Sequence, residues 1–261
     1  MDELRINIRY ALRSFAKNPA FTAVVVLTLA LGIGANTAIF SLMDQVLLRL
    51  LPVKDPNRLV ILQGPGPFSG RASSHSNTLH VLSHPMFEHL RDQSTVFSGV
   101  LAEFTASIHL GEGGQTDDVH GDLVSGTYFE TLGLQPALGR LFTRDDDRVP
   151  GGHPIVVLGH GFWTRRFAAD RGIVGRSLRV NDTPMTVIGV APPGFHGIEV
   201  GESVDVYVPL AMQQQVLPTW PRALGDWRTR WLTVMARLED GVSVPQATAS
   251  VNASRVRLLM R

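Results

Sequence analysis

Histidines and acidic residues are the side chains of this 261-residue chain that could hold a metal, because the sequence contains no cysteine. The lack of cysteine excludes disulfide scaffolds, thiolate zinc sites, iron–sulfur clusters and thiol nucleophiles. Four of the nine histidines lie close together in sequence: His75, His80, His84 and His89. Pro85 marks the start of a helix, so His80 and His84 do not share a helical face, while His84 and His89 are five residues apart. We therefore expect solvated or cap-region histidines rather than metal ligands.

The run Asp145-Asp146-Asp147 is a second candidate for metal binding. It lacks the spaced ligands and the glycine of a calcium loop, so we expect a surface turn. The sequence contains no Gly-x-x-x-x-Gly-Lys phosphate loop, no Gly-x-Ser-x-Gly elbow and no His-Glu-x-x-His zinc helix. No lysine follows Gly64–Pro67, and its prolines remove amides that a phosphate nest needs. We predict no catalytic residue, no metal and no cofactor, and hence no enzyme.

The charge balance restricts the partners of the chain. It carries 24 basic and 23 acidic residues, and charged residues make up 18% of the sequence. Nucleic-acid binding needs a basic surface that displaces counterions from phosphates, so a net charge of +1 argues against it. The low charge content points instead to a membrane, because soluble domains average about 25%.

One apolar run is long enough to cross a bilayer. No charged residue occurs from Asn18 to Met43, and the apolar core Phe21–Met43 is 23 residues long. As a helix this core reaches about 34 Å, against a hydrocarbon thickness of about 30 Å. A buried helix of a soluble domain would rarely run so far without a polar face. A cleaved signal peptide is the other alternative, but the apolar run continues beyond the small residues 34–38.

The segment before this span predicts its orientation. Basic residues recur every four positions and an apolar stripe accompanies them, which indicates an amphipathic helix on the anionic cytoplasmic leaflet. The positive-inside rule then places the N-terminus in the cytoplasm and the residues after about 52 outside the plasma (inner) membrane. The basic positions are Arg5, Arg9, Arg13 and Lys17, and the apolar ones are Leu4, Ile8, Leu12 and Phe15.

Small residues inside the span predict helix packing. Ala30, Gly34 and Ala38 are spaced four apart, and Asn36 lies beside them. Small residues at this spacing let another helix approach closely, and an asparagine can hydrogen-bond across such a contact. Isolated spans also contain small residues, so the pattern is compatible with a lone anchor as well.

The rest of the chain reads as α+β. We predict two strand–helix elements that flank a β-rich block, which suggests one α/β subdomain interrupted by an inserted one. Asn181-Asp182 between two strands indicates a tight hairpin, and Ser83 before Pro85 indicates a helix cap. The predicted strands are 58–62, 100–110, 177–180, 185–190, 205–210 and 231–238; the predicted helices begin at Ser83 and span 161–168 and 244–259.

An ordered set of segments resembles the MacB-like ABC-transporter permeases of the FtsX-related superfamily. The match covers nearly the whole chain, and the set is specific although no single piece is. The segments are Leu29–Val53, Pro56–Val60, Val124–Phe142, Val156–Phe167, Ile173–Phe195, Asp205–Leu210 and Trp231–Ala247. At His84 the family more often has an aromatic residue before the proline.

The resemblance implies a fold and a role for each part of the chain. It implies a first transmembrane helix followed by a MacB-like periplasmic core domain, with a porter-like subdomain built from both ends and an inserted β-rich subdomain. The implied parts are 1–20 (cytoplasmic amphipathic helix), 21–51 (transmembrane helix and extension), 52–110 (first porter-like part), 111–212 (inserted subdomain) and 228–261 (return part).

The resemblance also implies a non-catalytic permease component that couples a partner ATPase to an extracytoplasmic domain for export or mechanotransmission. The implied partners are an ABC-type ATPase subunit, further permease helices or a second permease copy, and membrane lipid. ATP would act only through that ATPase. The family has three more transmembrane helices after the position of Arg261, so we expect a truncated member. A signal-anchored extracytoplasmic binding or sensor module is the alternative function.

Overall fold

The computed structural model describes residues 19–43, 52–64, 71–72, 81–112, 115–199, 201–220 and 222–259. The predicted amphipathic helix and its four basic residues therefore lie outside the described residues, as do His75 and His80. The chain forms two compact units, residues 1–49 and 50–261. In the first unit, helix α1 spans Pro19–Met43 and contains the whole predicted apolar run.

The second unit combines short helices with many strands, as the α+β prediction requires. Its helices are α2 (His84–Gln93), α3 (Tyr128–Leu132), α4 (His160–Phe167), α5 (Gln213–Val216) and α6 (Val244–Leu259). Its strands are β1 (Leu59–Leu62), β2 (Arg71–Ala72), β3 (Val81–Leu82), β4 (Phe97–Glu112), β5 (Gln115–Val124), β6 (Leu138–Gly139), β7 (Ile155–Leu158), β8 (Ser177–Val180), β9 (Thr183–Val190), β10 (Val206–Pro209), β11 (Thr229–Arg230) and β12 (Leu232–Leu238).

Ten of these strands form one mixed sheet in the order β1-β12-β4-β5-β10-β7-β9-β6, with β3 on β12 and β8 bridging β4 and β9. The pairings close a circuit through β4, β5, β10, β7, β9 and β8, in which β5–β10 and β7–β9 are parallel. A closed circuit removes free strand edges from this part of the sheet. The remaining pair, β2 and β11, is parallel.

Two apolar clusters occupy opposite faces of the sheet. One contains buried residues from all six strands of the circuit and so fills its interior, with Ile108 and Leu178 among them. The other lies on the outer face, where Tyr128 and Phe129 of α3 pack against Leu101 and Tyr207. Because side chains alternate along a strand, the odd-numbered residues of β4 from 101 to 105 face this second cluster.

Several local predictions are confirmed. Asn181 and Asp182 have φ of 43° and 67° and join β8 to β9, as expected for a two-residue hairpin turn. Helices α4 and α6 lie within one residue of their predicted bounds. The strand predicted at 231–238 has an alternating sequence, which would bury one face only, and that expectation is wrong. Six of the seven residues of β12 are buried, because β12 lies between β1 and β4 and is covered on both faces.

The prediction that Ser83 caps α2 is correct in position and wrong in its hydrogen bond. Ser83 occupies the N-cap, but its buried hydroxyl makes no hydrogen bond among the described residues. A capping side chain accepts from the second or third helical amide, and the second position here is Pro85, which has no N–H.

The described structure does not divide the second unit further. Strand β4 crosses the predicted boundary at residue 110 without a break, and one sheet contains strands from all three predicted parts. The boundaries at 110 and 212 stay predictions.

Candidate functional site

Helix α1 is apolar over its described length. Residues Pro19–Thr37 have a mean hydropathy of 1.8, and none of this segment is buried within the structure. An apolar helix of this length suits a hydrocarbon environment. It is the one described helix that is long and apolar enough to cross a membrane.

The described small residues of α1 are exposed on the surface of the helix. Ala30, Gly34 and Asn36 are exposed, and an added Cβ at Gly34 would meet no atom within 4 Å. The helix therefore has room for the close approach of another helix at this face. The side chain of Ala38 lies outside the described residues, and the packing role of the four residues stays a prediction.

His84 and His89 both lie on α2, and His84 has local partners. Its Nδ1 lies 3.0 Å from the carbonyl oxygen of Leu224 and 3.6 Å from Glu88 Oε2. Burial lowers the pKa of His84. Its ring thus contributes to the packing of the first helical turn. Among the described residues there is no group of three metal-binding side chains.

The prediction of a surface turn at Asp145–Asp147 is correct for Asp145 and wrong for Asp146, while Asp147 is half-buried. Asp145 is exposed, whereas Asp146 is buried and receives two hydrogen bonds from Arg140, at 2.6 and 2.9 Å. The turn is a 3-10 helix, Arg144–Asp147, which points the second and third carboxylates inward.

Asp147 connects two distant segments of the outer face. Its carboxylate accepts hydrogen bonds from the amides of Gly126, at 3.0 Å, and Ala211, at 2.6 Å. Burial raises its pKa to about 6. The side chain therefore fixes the loop that follows β5 against the segment that follows β10.

A second acidic group lies on the outer face of the sheet, and the sequence analysis missed it. Glu103 on β4 is 1% exposed and Asp122 on β5 is 2% exposed. Tyr128 donates a hydrogen bond to Glu103 Oε2 at 3.2 Å, and Thr105 donates to Asp122 Oδ1 at 3.0 Å. Tyr207 pairs directly with Asp122 across β10 and β5.

Within the described part of the chain, Glu103 and Asp122 are buried acids whose hydrogen-bond donors are the neutral side chains of Tyr128 and Thr105. Burial, followed by the charge of Asp122, raises the pKa of Glu103 well above its usual range. Burial also raises the pKa of Asp122, to about 7. Glu103 Oε1 and the Tyr207 hydroxyl are enclosed and have no hydrogen-bond partner among the described residues. We refer to Glu103, Asp122, Tyr128 and Tyr207 as the outer-face acid cluster.

One sequence signal could have found half of this cluster. Glu103 is the one charged residue between Val100 and Leu110, a stretch predicted to be a strand. A charge inside an apolar strand is informative because charged residues are seldom buried. Asp122 gives no such signal, because its neighbourhood is polar and only the β4–β5 register brings it beside Thr105.

A scan against family models matches residues 22–254 to the MacB-like periplasmic core domain. The chain belongs to this family. The matched range covers most of α1 and nearly all of the second unit, so a single family model includes residues of both units. The macrolide export ATP-binding/permease protein MacB of Burkholderia cenocepacia is 37% identical over 95 residues, which are 35% of this chain and 14% of that relative.

Solved structures agree on the fold of the MacB-like periplasmic core domain. The periplasmic region of MacB from Actinobacillus actinomycetemcomitans has a TM-score of 0.56 at 21% identity, over 77% of this chain and 83% of that one. A domain of a permease protein from Porphyromonas gingivalis has a TM-score of 0.51 at 17% identity, over the same shares. These likenesses confirm the predicted α+β fold of the MacB periplasmic type for the second unit. The structure itself supplies the N-terminal apolar helix α1 that precedes it.

The chain spans only a small part of the curated relative that it matches, 14% of its length. The family membership therefore describes a membrane-anchored protein with an extracytoplasmic domain, related to ABC-transporter permeases.

Proposed function

We propose that this chain is a non-catalytic permease component that couples a partner ATPase to its extracytoplasmic domain, in export or mechanotransmission. The observation that carries the proposal is the single family match across residues 22–254, which joins the apolar helix to the folded unit. A helix of 25 residues in the same chain as such a domain would connect the two sides of a membrane mechanically.

The chemistry of the chain supports a coupling role over catalysis. The sequence has no phosphate loop, so ATP would be hydrolysed by a separate ABC-type subunit. The basic residues from Arg5 to Lys17 would lie at the cytoplasmic surface, where such a subunit and anionic lipid are both within reach. In the membrane, the face with Ala30, Gly34, Asn36 and Ala38 would pack on further permease helices or a second permease copy.

Site-specific cross-linking in cells tests the partner ATPase. A photo-reactive amino acid at position 9 or 13 of the full chain should cross-link to an ABC-type ATPase subunit, identified by mass spectrometry. The same amino acid at Asp145, an exposed position of the second unit, should not capture it.

Failure of the positions near the N-terminus to capture any ATPase, in cells where the chain is inserted in the membrane, would contradict coupling. A stable product with an extracytoplasmic protein at Asp145 and none with an ATPase would favour the binding or sensor module.

A further inference from the structure

The segment between β9 and β10 covers the outer-face acid cluster. Its described residues, 192–199 and 201–204, are called the strap here. Phe195 of the strap stacks on Tyr207 with ring centroids 6.2 Å apart and meets Tyr128 edge-on at 6.3 Å. An added Cβ at Gly197 would lie 3.9 Å from Asp122 Oδ2. The strap thus keeps water away from two carboxyl groups.

The strap carries acids of its own. Glu199 and Glu202 both act electrostatically on Glu103 and on Asp122, and each raises the pKa of those buried groups. Glu199 is partly buried and Glu202 is exposed. Like charges on the strap and on the sheet repel each other once the sheet carboxyls lose their protons.

The charged groups around the cluster come from every element that packs on it. Strand β4 contributes Glu103 and β5 contributes Asp122. The hydroxyls of Tyr128 on α3 and Tyr207 on β10 face the two acids, and burial raises the pKa of both. At the rim, two basic side chains meet acids: His120 Nε2 lies 3.1 Å from Glu202 Oε2, and Arg165 donates to Asp205 at 2.9 Å.

Two glycines give the strap a backbone that can hinge. Gly194 and Gly201 have φ of 80° and 90°, and an added Cβ at either would meet nothing within 4 Å. They flank Phe195, Gly197 and Ile198, the residues that hold the strap against the sheet. Left-handed backbone at glycine suits a turn that can change without steric cost.

We propose that the strap is a pH-responsive cover, closed over the sheet when Glu103 and Asp122 are protonated and open when they are ionised. Opening would expose the Tyr207 face and hydrate Glu103 Oε1 and the Tyr207 hydroxyl, the two enclosed atoms that have no partner among the described residues. The proposal concerns the extracytoplasmic unit alone and does not depend on a partner ATPase.

The direction of the pKa changes determines how the stability of the closed form depends on pH. Both carboxyls have a raised pKa in the closed form, so the closed form binds more protons than the open form. The stability of the closed form is therefore fully present below the ordinary carboxyl pKa and is lost as the pH rises through about 7. Between the ordinary carboxyl pKa and the raised pKa, one buried carboxyl shifts the opening equilibrium by up to about tenfold per pH unit.

Hydrogen exchange of the full chain in detergent micelles or nanodiscs tests the proposal. After correction for the intrinsic pH dependence of exchange, strap amides should exchange at least about tenfold faster at pH 8 than at pH 5. Amides of the β8–β9 hairpin should change much less. A strap with equal corrected rates at both pH values, while the hairpin stays protected, would overturn the proposal.

Neutral variants identify the acids responsible. In the double variant E103Q/D122N the ratio of strap rates between pH 8 and pH 5 should fall to about 1. The matched control E130Q, an exposed acid on α3 beside Tyr128, should keep the wild-type ratio. If the buried double variant does not fold, the variant E199Q/E202Q serves, and its ratio should fall several-fold. A wild-type ratio in whichever of these variants folds would overturn the assignment.

Discussion

Replacing Asp147 with alanine should destabilise the second unit by about 2–3 kcal/mol. The carboxylate accepts the amides of Gly126 and Ala211, and alanine leaves both donors without that partner in a buried site. In a domain of about 200 residues this loss should lower the thermal midpoint by about 4–12 °C. Tryptophan fluorescence during heating reports the transition, because all four tryptophans lie in the second unit.

Asp145→Ala is the matched control in the same acidic run. The Asp145 side chain is 77% exposed and pairs only with Arg148 among the described residues, so its removal should change stability by less than about 0.5 kcal/mol. Equal midpoints for the two variants would show that the inward carboxylate does not hold the two segments together.

Replacing Gly189 with alanine should cost about 3 kcal/mol or more. Gly189 lies in β9, where the pairing of β9 with β7 is irregular. On the other edge of β9, β6 pairs antiparallel with it and places Gly139 opposite Gly189. An added Cβ would lie 2.8 Å from the carbonyl oxygen of Leu138 and closer still to that of Arg140. Both obstacles are backbone atoms, so the strands themselves must separate.

Gly225→Ala is the control for this substitution. Gly225 is exposed, and an added Cβ there would meet nothing within 4 Å. Its thermal midpoint should equal that of the wild type or rise slightly, because alanine restricts the unfolded chain. Denaturant unfolding of the two variants measures the difference, and a Gly189 variant as stable as the Gly225 variant would show that β6 does not pack on β9 as described.

Local patterns predicted several elements of this protein but not β5, β7 or α3, and contacts between distant segments were beyond them. The Asn181-Asp182 turn and helix α6 follow from residue types within a few positions. The closed circuit depends on β8 pairing with β4, which joins Val180 to Leu110 across seventy residues and has no local signature. Predicting a β-rich stretch was therefore possible, and predicting the closure of its strands was not.

The acidic residues show the same difference between what local sequence predicts and what distant contacts determine. Three consecutive aspartates look solvated, and Asp145 is. The inward positions of the buried Asp146 and the half-buried Asp147 depend on Arg140 and on the amides that they meet. The outer-face acid cluster depends on strand register, on the position of α3 and on the strap. Patterns of residue type reveal which side chains are polar, but partners determine which polar side chains are inside.

Cysteine accessibility tests the central claim, that the folded unit and the N-terminus lie on opposite sides of the membrane. The chain has no native cysteine, so single cysteines at Ser14 and at Asp145 each report one position. In intact spheroplasts, a membrane-impermeant maleimide should label the Asp145→Cys chain fully and the Ser14→Cys chain only after permeabilisation. Labelling of Ser14→Cys with protection of Asp145→Cys, or labelling of both before permeabilisation, would contradict the account.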